Sequence, residues 1–428
     1  MNTTQRPQRP LKVLIAGGGI GGLCLAHGLR RAGIDVTVLE RTLARADWLQ
    51  GYRIHINPDG NHALRTCLPP ENWKLYLDSV ADGEGSFAFV TPTLAPLLDL
   101  PRELVDHGAD DPVDQHHGVS RIGLRAALLD GLDDVVQYGR TFERYTLTGD
   151  GRVTAHLSDG GEVTGDLLVG ADGAGSRVRG QFLPHLDRID TGVVIVAGKY
   201  PLTDERRARL PRILTTRANN VIPTGRGGLF TAVWEPDSTA PKDAEPYTFW
   251  GYSDAAERMP VDGLDGAALA RMIGERLTGW SPHLREMVTN ADPETVNAIR
   301  VLSAPPRAEP WPSGPVTLMG DAIHSMTPMA GIGANTALRD AETLSGLLNE
   351  VAAGRRDLHD AVAAYEDRMR DYGFAAVRLS LRNAQQSATG TPLSRHAFRT
   401  FLRTANAIPP IKRHLFANQG RGADKTTR

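Results

Sequence analysis

The chain of 428 residues is long enough for more than one ordinary core, so two interleaved lobes are the starting expectation. Its 50 acidic and 48 basic residues leave a formal charge of −2, and no basic block runs along it, which excludes nucleic acid as a natural partner. A hydrophobic share of 41% is ordinary globular composition, and the two cysteines, Cys24 and Cys67, have no metal or redox spacing, which suits a reducing, cytoplasmic setting.

Residues 1–10 read as a disordered leader. Arg6, Arg9 and Lys12 ahead of an apolar stretch mimic a signal peptide, but five glycines within 17–22 argue against an apolar helix there. Residues 12–16 are a short apolar run, as in a strand buried on both faces. The glycine turn follows, then a helix with Cys24, Leu25 and Leu29 inward and Arg30 and Arg31 outward, ended by Gly33. Residues 34–39 supply a second parallel strand that ends in Glu40, which completes a βαβ unit. Cys67 precedes a Pro-Pro turn and reads as a free thiol, whereas Cys24 reads as packing.

Residues 51–57 alternate as a strand does, with Arg53, His55 and Asn57 on one face. That face either meets a substrate, orienting it or deprotonating a phenol, or is simply solvated. The acidic stretch 101–118 reads as a loop, and its His107, Asp110, Asp111, Asp114, His116 and His117 match no metal geometry. A helix is expected over 121–132, then an antiparallel meander of strands at 135–138, 143–148, 153–158 and 162–169. Strand-like segments at 192–200, 212–222, 229–235 and 247–252 predict a second sheet, with Trp234 and Trp250 as candidate pocket-lining residues or plain aromatic core. A helix at 264–279 and another opened by Ser281-Pro282 follow. The proline-rich link 304–315 returns the chain to the first lobe through residues 316–319, and apolar residues at spacings of three and four over 358–372 mean amphipathic helix. Nothing approaches the roughly 18 apolar residues of a membrane span.

Three motifs carry the chemistry. Gly17-x-Gly19-x-x-Gly22 sits between strand and helix: Gly17 permits the turn, Gly19 lets backbone approach a pyrophosphate, and Gly22 lets helix and strand pack. Glu40, followed by Arg41, lies about 20 residues on, where an acid meets ribose hydroxyls. This fingerprint does not separate FAD from NAD. The second motif is Ala171-Asp172-Gly173, which alone is a common Asp-Gly turn. The third runs from Gly320-Asp321 through His324, Pro328, Gly331, Gly333 and Ala334 to Asn335, where a helix is expected to start.

In this order the motifs resemble the single-component FAD monooxygenases of the aromatic-hydroxylase class, which include phenol and salicylate hydroxylases and tetracycline-inactivating oxygenases. The resemblance covers about residues 11–350. It implies an α/β fold in which a Rossmann-like FAD lobe interleaves with a mixed or antiparallel-sheet substrate lobe and C-terminal helices close the molecule. The implied FAD lobe takes 11–75, 100–185 and 295–350, the substrate lobe 76–99 and 186–294, the C-terminal helices 351–415, and a loose tail 416–428. It places Asp172 near the FAD pyrophosphate, Arg121 on the phosphates unless it is a surface arginine, Asp321 on the ribityl hydroxyls, and Gly331 and Gly333 against the isoalloxazine. His324 reads as a structural histidine in the turn after Asp321.

The implied reaction reduces FAD with NADPH or NADH, forms a flavin C4a-hydroperoxide with O₂, and inserts one oxygen atom into a hydrophobic aromatic or polycyclic small molecule, as in natural-product metabolism. No protein nucleophile or metal is required, and a monomer or homodimer suffices. An FAD oxidase or reductase without oxygen insertion, and a non-catalytic flavin-binding protein, are the alternatives. Three departures stand out. The Trp-x-Trp pair of flavin halogenases is missing, Gly331-Ile332-Gly333 replaces the usual Gly-Gln-Gly or Gly-Glu-Gly, and no second glycine fingerprint offers NAD(P)H its own domain.

Overall fold

The computed structural model describes residues 10–44, 53–80, 87–101, 104, 106, 109–236, 245–408, 410 and 412. The expected leader (residues 1–9), Gly51, Tyr52, the Arg53 side chain, His107 and the tail 416–428 lie outside the described residues.

The first lobe is built on a five-stranded parallel sheet in the order Val316–Leu318, Leu167–Gly170, Lys12–Ala16, Asp35–Leu39 and Val136–Gln137. Lys12–Ala16 is central and fully apolar apart from Lys12, and Val13, Leu14 and Ile15 have no exposed surface, as a two-sided strand requires. The helix Ile20–Arg31 packs on its strands Lys12–Ala16 and Asp35–Leu39, and Gly333–Ala352 packs in turn against Ile20–Arg31. A Cβ at Gly21 would meet Ala337, and further along both helices a Cβ at Gly28 would fall 2.8 Å from Ser345. The two helices therefore run parallel, with their N termini side by side.

A mixed seven-stranded sheet forms the second lobe, in the order Asn297–Ser303, Ile189–Pro201, Tyr247–Ala255, Gly228–Trp234, Ala218–Val221, Phe87–Val90 and Pro96–Leu100. One face is covered by the helices Gly266–Arg276 and Pro282–Thr289, whose Leu269, Ile273, Leu284 and Met287 join Val194, Leu229, Trp250 and Tyr252 in a second core. The 32-residue helix Leu358–Thr389 spans both lobes: Tyr365 and Met369 enter the first core, and Ala384 and Ala388 pack on Val193, Ala255 and Val301 of the second sheet. The last helix, Pro392–Ala407, lies against Pro96–Leu100 at the sheet edge. No helix among the described residues is long and apolar enough to cross a membrane.

Several expectations shift. The segment 135–138 is no part of the meander, since Val136–Gln137 pairs in parallel with Val38 and Leu39. The expected strand 162–169 divides into Glu162–Gly165 of the meander and Leu167–Gly170 of the parallel sheet. Gly165 crosses over Leu14, where a Cβ would lie 2.7 Å from its side chain, and Asp166 then ties down the Lys12 N–H at 2.8 Å. The segment 212–222 is a helical turn, Ile213–Thr216, before the strand Ala218–Val221, with the Leu214 and Thr215 N–H groups bonded back to the Pro211 and Arg212 carbonyls. Asn297–Ser303 belongs to the seven-stranded sheet, past the expected lobe boundary at 294. Both thiols are buried, and Cys67 Sγ lies 3.6 Å from Ser345 Oγ.

Candidate cofactor and substrate site

The glycines of the first turn separate into three roles. Gly17 has φ +112°, and a Cβ there would sit 2.3 Å from the Ala171 carbonyl oxygen, so the turn and the Ala171-Asp172-Gly173 segment press on each other. A Cβ at Gly22 would meet the Gly17 carbonyl at 2.3 Å, which is the close helix–strand contact. At Gly19 a Cβ would meet nothing within 4 Å, so the backbone there borders open space. The helix after it starts with no side-chain cap, as does Gly333–Ala352, so both leave N–H groups and positive helix ends directed at the same region. An anionic dinucleotide suits that cradle.

Glu40 is buried, with Oε2 accepting the Gly18 N–H at 2.9 Å and Oε1 the Thr42 N–H at 2.8 Å, while Arg41 is exposed beside it. The carboxylate is thus held rigidly at the tip of the second strand. Asp172 Oδ2 accepts the N–H groups of Arg177 at 2.8 Å and Val178 at 3.3 Å. Its other oxygen is buried with no hydrogen-bond partner among the described residues, and burial raises its carboxyl above the usual range. An orphaned acceptor of that kind suits a ligand hydroxyl.

Asp321 is solvent-accessible, yet crowding by protein pushes its carboxyl pKa up against the opposing pull of His324, Arg121 and Arg188. Access and crowding together describe the floor of a cleft. Arg121, the first residue of the helix Arg121–Leu129, is half-buried and within electrostatic reach of Asp321; burial lowers its own pKa. Downstream, Pro328 and Gly331 are exposed, Gly331 is left-handed at φ +64°, and Gly333 and Ala334 are half-buried at the start of the long helix. That helix begins at Gly333, two residues before the expected start at Asn335.

Asn335 serves the protein interior. Its Oδ1 accepts the Asn57 N–H and its Nδ2 donates to the His55 carbonyl, both at 2.9 Å, which fastens the strand Arg53–Ile56 to the helix N terminus. Asn57 does not share a polar face with His55: it is buried and caps the helix Pro58–Cys67, accepting the Gly60 N–H at 3.0 Å. His55 is exposed, and its Nε2 lies 2.9 Å from His116 Nδ1 with the rings 13° apart. That separation is shorter than the roughly 3.5 Å of stacked atoms, so the rings meet edge to edge.

Two residues outside the expected set bind the motifs together. Arg179 donates to the Ala174 and Ala322 carbonyls, both at 3.0 Å, and so joins the second motif to the third. Asp340, wholly buried, accepts the Gly320 N–H at 2.7 Å and the Tyr372 hydroxyl at 2.6 Å, and lies 2.7 Å from His324 Nε2. Burial lowers the His324 pKa, but Asp340 outweighs it and the net shift is upward. His324 is therefore a structural ion-pair partner under the turn. A polar residue on the apolar stripe of Leu338, Ala341 and Leu344 was the signal for Asp340.

The tryptophans do not share a pocket. Trp234 pairs with Tyr247 and Trp250 with Thr231, an odd number of steps apart, so they point to opposite faces. Trp250 has no exposed surface and belongs to the core under the covering helices. Trp234 stacks on Tyr247 at 5.1 Å, six residues along the strand pairing from Ser253, roughly 20 Å at 3.3 Å per residue. The face near the cofactor turn carries Ile195, Phe249 and Phe230 instead. Met329, between Pro328 and Ala330, packs against the cluster that includes Ile195, and Phe249 and Phe230 are half-buried with ring centres 6.3 Å apart. Strand parity was legible in the sequence, but not which parity faces the cleft.

This architecture, a parallel sheet with a glycine turn and two uncapped helix ends meeting a second sheet, defines a dinucleotide-binding flavoprotein fold. The FAD binding domain family model matches residues 10–55 and 280–380. A protein from Photorhabdus luminescens subsp. laumondii named as an FAD-containing monooxygenase is similar in structure, with TM-score 0.80 and 36% identity over 88% of this chain and 98% of that one. Klebsiella pneumoniae HpxO, solved with FAD and uric acid, shares the fold at TM-score 0.75 and 22% identity, covering 96% of this chain and 97% of that one. The dual O-methyltransferase/FAD-dependent monooxygenase elcB of Phaeosphaeria nodorum is 31% identical over 425 residues, 86% of this chain and 45% of that protein, so this chain spans about half the length of such relatives. The chain belongs to the FAD-dependent monooxygenases of the aromatic-hydroxylase type, and FAD is its cofactor.

Proposed function

We propose that this chain is an NAD(P)H-consuming monooxygenase that inserts one oxygen atom from O₂ into a hydrophobic aromatic or polycyclic small molecule. The observation that carries the reading is that Met329 and Ile195 pack against one cluster, Val193, Ala255, Val301, Ala384 and Ala388, and that the sheet face bearing Ile195 also carries the half-buried Phe249 and Phe230. FAD, when bound, accepts electrons from NAD(P)H and supplies the oxygen-activating chemistry. In this reading Gly17, Gly19 and Gly22 take the pyrophosphate with Arg121 and Asp172, Glu40 and Arg41 flank the ribose, and Asp321 holds the ribityl chain. Pro328, Gly331, Gly333 and Ala334 present backbone to the ring system. The positive start of the helix Gly333–Ala352, steadied by Asn335, stabilises negative charge on it. The aromatic face excludes water and holds the substrate. His55 stands at the edge of this site through its carbonyl bond to Asn335. The protein would act as a cytoplasmic monomer or homodimer.

The experiment is a visible spectrum before and after anaerobic NADPH, then air, with product analysis under labelled O₂. Bleaching by NADPH, faster with substrate, and label in the product are expected. NADPH oxidation without label in any product would replace this reading with an oxidase or reductase.

A further inference from the structure

On the helix-covered face of the second sheet a groove of about 590 Å³ opens between the 223–226 turn and the link at 278–280. Its charged lining is three arginines, Arg226, Arg258 and Arg276, against one carboxylate, Asp254. Asp254 is 1% exposed and already committed: its Oδ1 accepts the Ala255 N–H at 2.8 Å and the Arg258 Nε–H at 3.1 Å, and Arg276 Nη1 lies 3.7 Å from its Oδ2. Glu257 reaches Arg258 at 3.1 Å from outside, where it is well solvated. A fourth guanidinium, on the buried Arg395, stands behind the turn and donates to the Gly227 carbonyl at 2.6 Å. Positive charge therefore exceeds negative in a partly desolvated place, where such an excess calls for an anion.

Two features point to a ligand rather than to a solvated patch. Arg276 donates through Nη2 to the Arg258 carbonyl, but its Nε is buried and has no hydrogen-bond partner among the described residues. The rim glycines Gly225 and Gly279 have nothing within 4 Å of where a Cβ would stand, so bare backbone borders the opening on two sides. Trp280 adds a flat apolar wall. We propose that this groove binds a phosphorylated small molecule, whose phosphate oxygens are taken by Arg226 and Arg276 while Arg258 and Arg395 supply field and shape. Guanidinium forks match phosphate geometry in a way that a single carboxylate ligand would not use fully. The site is separate from the FAD cradle and stands independently of the oxygenase reading.

The test is calorimetric titration of the FAD-saturated protein with sodium pyrophosphate, repeated with NADP⁺ present. Saturable binding is expected, weakened at least tenfold by Arg226→Glu and by Arg276→Met but not by Arg144→Glu, which removes an exposed charge elsewhere. The flavin spectrum should not change. Displacement by NADP⁺ would identify a dinucleotide occupant, and binding without displacement a smaller phosphate; both support the site. Absence of saturable binding by either compound, or equal binding in Arg226→Glu, overturns it. Arg226 is exposed, so that variant keeps the test sound even if Arg276→Met folds poorly.

Discussion

Replacing Asp340 by alanine should damage cofactor retention more than any change within the glycine turn's exposed rim, though Asp340 belongs to none of the three motifs. The carboxylate answers three groups at once, the Gly320 N–H and the His324 ring in the interior and the hydroxyl of the half-buried Tyr372, none beyond 2.7 Å. Removing one member of a buried pair costs about 3–5 kcal/mol, because the partner keeps its charge without compensation. A lobe of this size shifts its melting point by about 2–4 °C per kcal/mol, so a fall on the order of 10 °C is expected. Asp340→Asn keeps one acceptor oxygen for Gly320 and His324 but loses the charge and turns an NH2 donor toward the Tyr372 hydroxyl, which can accept instead, at a cost of about 1–2 kcal/mol. The pH dependence has a definite sign. The folded His324 pKa is raised, so the pair's stabilisation is fully present below the unfolded value of about 6.5 and is lost as pH rises through the folded value. The gap between wild type and Asp340→Asn must therefore narrow as pH rises above about 6.5 and through the raised folded value. Thermal melts of the holoprotein, read by flavin release and by tryptophan emission, measure both quantities. An Asp340→Ala variant melting within about 2 °C of wild type, or a gap that does not change with pH, would refute the reasoning.

Further substitutions separate fold from site. Gly19→Ala places its Cβ in open space at an ordinary φ of −81°, so the apoprotein should melt normally while FAD affinity falls at least tenfold, about 1.4 kcal/mol, by fluorescence titration. Gly17→Ala meets the Ala171 carbonyl and a φ of +112°, and should lower the melting point of the apoprotein as well. Arg179→Met removes one bond to Ala322 across the motifs and one to Ala174 within its own turn, and is expected to cost about 2–3 kcal/mol, seen as earlier flavin release on heating. Phe249→Ala should lower kcat/KM for an aromatic substrate by roughly tenfold, about 1.4 kcal/mol, with the melting point nearly kept. Trp250→Phe should do the reverse, losing about 1–3 kcal/mol of stability with kinetics unchanged.

The βαβ unit was legible because its signals are local: an apolar run, glycines at fixed offsets and an acid at the next strand end. What contacts fix across long separations was not. Glu162–Gly165 and Leu167–Gly170 read as one strand, since only the crossing over Lys12 and Leu14 divides them. Asn57 looked like a partner of His55 on a strand face, yet Pro58 starts a helix there and the carboxamide becomes its cap. Trp234 and Trp250 attracted attention by residue type, whereas pairing register decides which face each occupies, and register appears only once Tyr247 is set against Trp234. His324 was legible as structural, but its partner lies 16 positions on, on a helix face that reads as apolar.

The same distinction bears on how the cofactor site is made rigid. Each motif alone supplies a turn, and turns are soft unless something outside them fixes their relative positions. Here Arg179 joins the turn after Asp172 to the turn after Asp321, Asn335 fastens the Arg53–Ile56 strand to the long helix, and Asp340 ties Gly320 to Tyr372 on Leu358–Thr389. That last helix continues to Ala384 and Ala388, which pack beside Met329 and Ile195 on the second sheet. One rigid element therefore touches both the turn below the cofactor and the margin of the aromatic face. In the proposed reading, a substrate on that face and a cofactor on that turn would both be referenced to the same helix. Their separation would then be set by packed side chains rather than by loop conformation, as the proposed oxygen transfer over a short gap demands.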